Sequence, residues 1–163
     1  FSRPENADSG RITGVELNYQ QFFTFLPAPL DGFGVNMNYT ITDSEATLLT
    51  QGEREVPFFK QSDNIGNFAL MYEKYGFEAR IAYSITGDFL TSVGSSSDTD
   101  GYIDERKVWD AKLSYRLNRN FTIFAEFLNI NEQPLREYTG VPSRNSGFEI
   151  YGWKSRFGVN FRL

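Results

Sequence analysis

Side chains alternate between apolar and polar with a period of two through seven separate segments of this chain. That pattern restricts the segments to β-strands with one apolar face. The last of them, YGWKSRFGVNFRL, sets Tyr151, Trp153, Ser155, Phe157, Val159, Phe161 and Leu163 against Gly152, Lys154, Arg156, Gly158, Asn160 and Arg162. GRITGVELNYQQFF sets Thr13, Val15, Leu17 and Tyr19 against Gly14, Glu16, Asn18 and Gln20. GFGVNMNYTIT, NIGNFALMYE, FEARIAYSIT, KVWDAKLSYRL and FTIFAEFLN repeat the split, the third segment least cleanly. Helix-spaced patterns are absent, so the expected fold is all-β, an antiparallel up-and-down meander of about seven long strands.

The connections alternate as well. LPAPLDG, KYG and NRN are short turns of Pro, Gly, Asn or Asp. The other three, about Asp43 to Asp63, Asp88 to Arg106 and Asn131 to Ile150, are long and fall at the opposite end of the sheet. Loops of that length are uncommon inside a compact domain and are usually functional. Short turns at one end and long loops at the other is the arrangement of outer-membrane barrels.

The apolar face must meet a sheet, a helix or lipid. A β-sandwich core favours Val, Ile and Leu on strands of five or six residues. These strands run for about nine to thirteen residues, enough to cross a bilayer at a tilt. Tyr19, Tyr39, Tyr72, Tyr83, Trp109, Tyr115 and Trp153 sit near strand ends, where rings with a polar tip suit the lipid–water interface. Aromatics make up 17% of the chain. The opposite face carries Glu78, Arg80, Asp110, Lys112, Arg116, Glu126, Lys154 and Arg156, which suit a wet lumen and no protein core. Arg80 and Asp110 are a plausible cross-strand pair. Lipid is therefore the expected partner, and the chain reads as part of a transmembrane β-barrel. Single-chain bacterial barrels take an even number of strands, so further strands are expected upstream. FSRPENADSG reads as the middle of a loop and has none of the features of a signal peptide, which suggests a segment of a longer protein. A self-contained small barrel and a soluble carbohydrate-binding sandwich remain the alternatives.

The chain has no Cys and no His. That removes thiolate chemistry, Ser-His triads and imidazole metal sites, and no paired carboxylates or phosphate-binding glycine loop replace them. No enzyme activity and no cofactor are expected. A net charge of −5 without clustered Lys and Arg disfavours nucleic acid.

GRITGVELNYQQ, DGFGVNMNYTITDS, YEKYGFEARIAYS, FTIFAEFLNINEQP and YGWKSRFGVNFRL, in this order and spacing, resemble the C-terminal β-barrel of TonB-dependent outer-membrane receptors, in particular those of Caulobacter- and Xanthomonas-like bacteria. The resemblance covers nearly the whole of residues 1–163. It implies a barrel of 22 strands with a plugged lumen, the plug and the upstream strands lying outside this sequence. It also implies location in the bacterial outer membrane and uptake of a small nutrient ligand, driven by the TonB energy-transducing complex through the plug region. Carbohydrate is the first guess for the ligand and a ferric siderophore the second. Barrels of this kind commonly end in Phe, read by the barrel assembly machinery. Here Leu163 ends the chain, with Phe161 and Phe157 before it, an imperfect version of that signal.

Two loop features are candidate sites. Phe58, Phe59, Tyr102, Tyr138 and Phe148, with Arg136 and Arg144 nearby, offer rings and guanidinium forks to a ligand at the barrel mouth; the same rings would equally serve to pack loop on loop. SSSDTDGYIDERK carries Asp98, Asp100 and Asp104 in a weak likeness of a calcium loop, with Ser where the first carboxylate belongs and Lys107 where a bidentate Glu belongs. A solvated acidic loop is the simpler reading, with no metal.

Overall fold

A computed structural model describes residues 7–49 and 53–162. The strands are β1 (Ser9–Phe22), β2 (Phe33–Leu48), β3 (Arg54–Val56), β4 (Asn64–Lys74), β5 (Phe77–Thr86), β6 (Phe89–Ser92), β7 (Gly101–Ile103), β8 (Arg106–Arg116), β9 (Phe121–Leu128), β10 (Leu135–Thr139), β11 (Asn145–Glu149) and β12 (Lys154–Phe161). The long strands form one antiparallel sheet in the order β1-β2-β4-β5-β8-β9-β12, with β3 on the end of β2. These are the seven expected strands, in the expected meander.

Register carries the alternation across the sheet. Val15 faces Ile41, Leu17 faces Tyr39, Leu70 faces Ile81, Ile81 faces Ala111, and Ile123 faces Val159. One continuous apolar face results, and it has no cover among the described residues: Val15, Leu17, Phe157 and Val159 are each at least 60% exposed. A soluble sandwich would bury that face under a second sheet.

The turn end is tightly specified. Tyr75 and Gly76 both take positive φ (55° and 78°), the geometry of a two-residue type I′ hairpin, which glycine adopts without strain. At the β8–β9 turn the Asn118 side chain accepts from the backbone N–H groups of Asn120 and Phe121, at 2.9 and 3.1 Å.

The long loops are not structureless. Residues from two of them build a second sheet in the order β11-β10-β7-β6. The two sheets share a small core of Ala46, Val56 and Leu90, with Leu48, Phe58, Val93 and Tyr102 packed on it. β2 runs on to Leu48, past the expected end at Thr42, because its alternation changes phase. Up to Ile41 the odd positions are apolar; from Asp43 on, Asp43, Glu45 and Thr47 occupy that face, and Ala46 and Leu48 turn to the other. Apolar burial thus passes from the outside of the wall to the inside, beneath the loop sheet.

Candidate functional site

The apolar face is banded. Tyr39, Phe68, Tyr83 and Trp109 form an upper aromatic row across four neighbouring strands, with centroid spacings of 6.2, 6.3 and 4.9 Å. Phe33, Tyr72 and Phe77 form a lower row, continued by Phe121 against Phe161 at 4.9 Å. Tyr83 and Phe77 stand six residues apart on β5, about 20 Å of strand. Between the rows lie Met37, Leu70, Ile81, Leu113 and Val159. An aliphatic belt edged by aromatic rings matches the lipid-facing band of an outer-membrane barrel.

The opposite face carries most of the wall's charged and amide side chains, interspersed with Met71, Val108, Phe124 and Leu128. Glu78, Arg80, Asp110, Lys112, Arg116, Glu126, Lys154 and Arg156 all occupy it: the register sets Glu78 opposite Ser114, Arg80 opposite Lys112, Arg116 opposite Thr122, and Glu126 opposite both Lys112 and Arg156. Glu126 binds both of those cations, Lys112 Nζ at 3.3 Å and Arg156 Nε at 2.9 Å. The expected Arg80–Asp110 pair is not formed. Lys112 stands directly across from Arg80, and Asp110 is opposite Ala82, where its carboxylate accepts from the backbone N–H of Asn129 at 2.8 Å. Further along the face Asn67 donates to Asn38 at 3.0 Å and accepts from the Ser84 hydroxyl at 2.9 Å, with Asn18 opposite Asn38. This amide ladder was not singled out in the sequence, although the period-two pattern places all four residues on one face.

The mouth residues separate into buried and exposed sets. Tyr138 is 3% exposed; its ring stacks on Tyr102 at 5.0 Å and its hydroxyl donates to Asp88. Burial, together with the Asp88 carboxylate, pushes the Tyr138 phenol well above its ordinary range, so it stays a proton donor. The Tyr102 phenol is also raised, by burial first and then by Asp100. Phe58 lies half-buried over Gly10 and against the small core. These three rings pack loop on loop. Phe59 and Phe148 remain open to solvent, at 53% and 54% exposure. Arg136 pairs with Asp104 at 3.2 Å and donates to the Pro142 carbonyl, while Arg144 donates to the Asp98 carbonyl at 2.8 Å.

The suspected calcium loop takes a different form. Ser97–Thr99 is a 3-10 turn and Gly101–Ile103 is β7. Asp100 is 2% exposed and is held by Arg54 and by the Gly94 backbone N–H; Asp104 is engaged by Arg136. Among the described residues no group of three carboxylates is gathered for a metal. Phe157 and Phe161 lie on the apolar face of β12, against Phe127 and Phe121, and Leu163 lies outside the described residues.

A family model described as "TonB dependent receptor-like, beta-barrel" matches residues 1–130. No curated protein and no solved structure matches the chain.

Proposed function

The chain belongs to the TonB-dependent receptor family of outer-membrane β-barrels, whose members are transporters and not enzymes, and on that premise we propose that residues 1–163 form the C-terminal portion of a barrel that imports a small nutrient. The observation that carries this reading is the two-faced wall. One face is an aliphatic belt between aromatic rows, suited to lipid, and the other is a predominantly polar surface suited to a wet lumen. The plug and the contact with the TonB complex belong to upstream residues of the receptor. Carbohydrate is the first substrate class: the Asn18, Asn38, Asn67 and Ser84 ladder lines the lumen with amide donors and acceptors suited to hydroxyl-rich solutes, and Phe59 and Phe148 offer rings at the mouth. A ferric siderophore is second. Phe157, Phe161 and Leu163 serve as the signal to the barrel assembly machinery.

The test is uptake by cells with and without the gene, in the presence and absence of the proton gradient. Radiolabelled oligosaccharides and ferric siderophores are offered in turn. Gradient-dependent uptake of a glycan that disappears with the gene supports the reading; uptake of neither class sinks it.

A further inference from the structure

The long loops differ from ordinary connections in what they bury. Ala46, Val56, Ser62, Leu90, Asp100 and Tyr138 are buried, and all lie at the loop end of the wall. Connecting segments generally run over a surface with their side chains in solvent. Strand parity fixes where this packing sits. The β1–β2 register is unbroken from Phe22 opposite Gly34 to Ser9 opposite Thr47, so Ala46 and Leu48 share the face of Asn36 and Asn38. That is the lumen side. Leu90 clusters with Ala46 and Val56, and Val93 and Tyr102 pack on the same cluster. The β6-β7-β10-β11 sheet is therefore seated on the inner side of the β2–β3 extension, over the lumen.

All three long loops are tied to one another. From the first to the second run the Arg54 fork on Asp100 and a backbone bond from the Lys60 N–H to the Leu90 carbonyl at 2.9 Å. From the second to the third runs the β7–β10 ladder, with the Asp104 N–H donating to the Arg136 carbonyl at 2.9 Å and the Gly140 N–H to the Asp100 carbonyl at 2.8 Å. Arg144 adds its bond to the Asp98 carbonyl, and Tyr138 adds its stack on Tyr102 and its bond to Asp88. Every partner belongs to this chain, so neither a plug nor neighbouring strands are needed to make these contacts. Parting the loops would leave the Asp100 carboxylate without its guanidinium and would expose Leu90 and the stacked tyrosines. Segments that open and close in a working cycle come from the low end of local stability, with few buried apolar contacts and solvent-exposed hydrogen bonds. These loops have the opposite character.

We propose that the three long loops form a stationary jaw of the mouth. The loop sheet keeps its fold and its seat on the β2–β3 extension throughout the transport cycle, and the movement that admits a solute belongs to other parts of the receptor. This rests on the transport reading and goes beyond it, by assigning the part of the mouth that does not move. A solute touching the jaw meets a preformed surface, so contact there carries no cost of ordering a loop.

The test uses the full-length receptor that carries this chain. Ile103 and Glu137 are partners across β7 and β10, beside the hydrogen-bonded Asp104 and Arg136. Theirs is a non-hydrogen-bonded position, with Cα atoms about 4.5 Å apart, within disulfide range. The chain has no cysteine, so Ile103→Cys/Glu137→Cys creates one lock between the second and third loops, which a reductant releases. Uptake of radiolabelled oligosaccharides and ferric siderophores is measured in cells carrying the parent, each single-cysteine variant and the lock, before and after reduction. The oxidised lock is expected to take up as much solute as the reduced one. Amide exchange on the purified receptor, with no solute present, tests the seat on the extension. Lys60, β7 and β10 are expected to exchange at least about a hundredfold more slowly than an unstructured chain. An oxidised lock that stops uptake, with recovery on reduction, overturns the jaw, as do loop amides that exchange at unstructured rates. Cysteines that fail to pair in a folded receptor overturn it too, because the register would then not hold. Parent cells that take up neither solute class remove the transport reading and with it the cycle, whereas a transporting parent with a blocked lock removes the jaw alone.

Discussion

Arg54 grips Asp100 at two points, Nη1 to Oδ2 at 2.8 Å and Nη2 to Oδ1 at 3.0 Å, and so fastens the 89–103 loop to the strand that extends the wall. The hydrogen bond to Asp100 raises the guanidinium above its ordinary range, and the Gly94 backbone N–H completes the carboxylate's shell at 2.8 Å. Removing the fork in Arg54→Ala leaves a nearly buried carboxylate with one donor. A local loss of about 2–3 kcal/mol is expected, read as faster amide exchange in β6 and β7 with the wall strands unchanged. Equal protection in both proteins would show that the clamp does not hold the loop.

The two faces of β8 differ in what they tolerate. Leu113 lies in the aliphatic belt, 40% exposed, and Ser114 beside it lies on the polar face, opposite Glu78. Leu113→Arg is expected to cost about 2–4 kcal/mol if it lies near the bilayer midplane, while Ser114→Arg costs a small fraction of that. Folding yield into lipid vesicles, followed against urea, compares them. Equal penalties would contradict the assignment of faces.

Gly66 lies opposite Tyr39, whose ring covers it. A Cβ there would stand 2.6 Å from Tyr39 Cδ2 and 2.9 Å from Ile85 Cγ2. Phe22 over Gly34 and Phe124 over Gly158 repeat the arrangement, in which a neighbouring ring fills the space a glycine leaves in a sheet. Gly66→Val should therefore displace the Tyr39 ring and destabilise the wall by about 1–3 kcal/mol, seen as a lower denaturant midpoint. An unchanged midpoint would mean that the ring relocates freely.

Asp63 sits at the loop end of the wall, and its carboxyl is raised above the ordinary value of 3.8 by burial first, then by the charges of Asp88 and Asp43. A group raised in the folded state favours folding when protonated, and that contribution is lost as pH rises through its folded pKa. Asp63→Asn is accordingly expected to raise the melting temperature at neutral pH, with the gain shrinking to nothing as pH falls below about 4. A gain that persists at acid pH would point to a cause other than charge.

The seven wall strands were legible because each is long enough for a period of two to show above noise, and because a bilayer demands that one face stay apolar. GFGVNMNYTIT announces Phe33, Val35, Met37, Tyr39 and Ile41 as one stripe without knowledge of any neighbour. The loop sheet was not legible for the opposite reasons. β7 has three residues, and it pairs with β10 more than thirty residues away, so neither alternation nor adjacency betrays it. Arg80 and Asp110 were matched by charge, but a strand pair is decided by register, which puts Lys112 across from Arg80. Tyr138 and Phe59 looked alike in sequence; only the long-range packing separates a ring at 3% exposure from one at 53%.

The phase change at Asp43 has a meaning for how a solute is met. Where apolar side chains move from the outer to the inner side of a strand, the oily layer has ended, so the strand serves as a depth gauge. Asp43 to Leu48 then measures about 17 Å of strand standing clear of the hydrocarbon. A solute arriving from outside would touch this turret before it reached the plane of the membrane, and capture would precede any encounter with the bilayer.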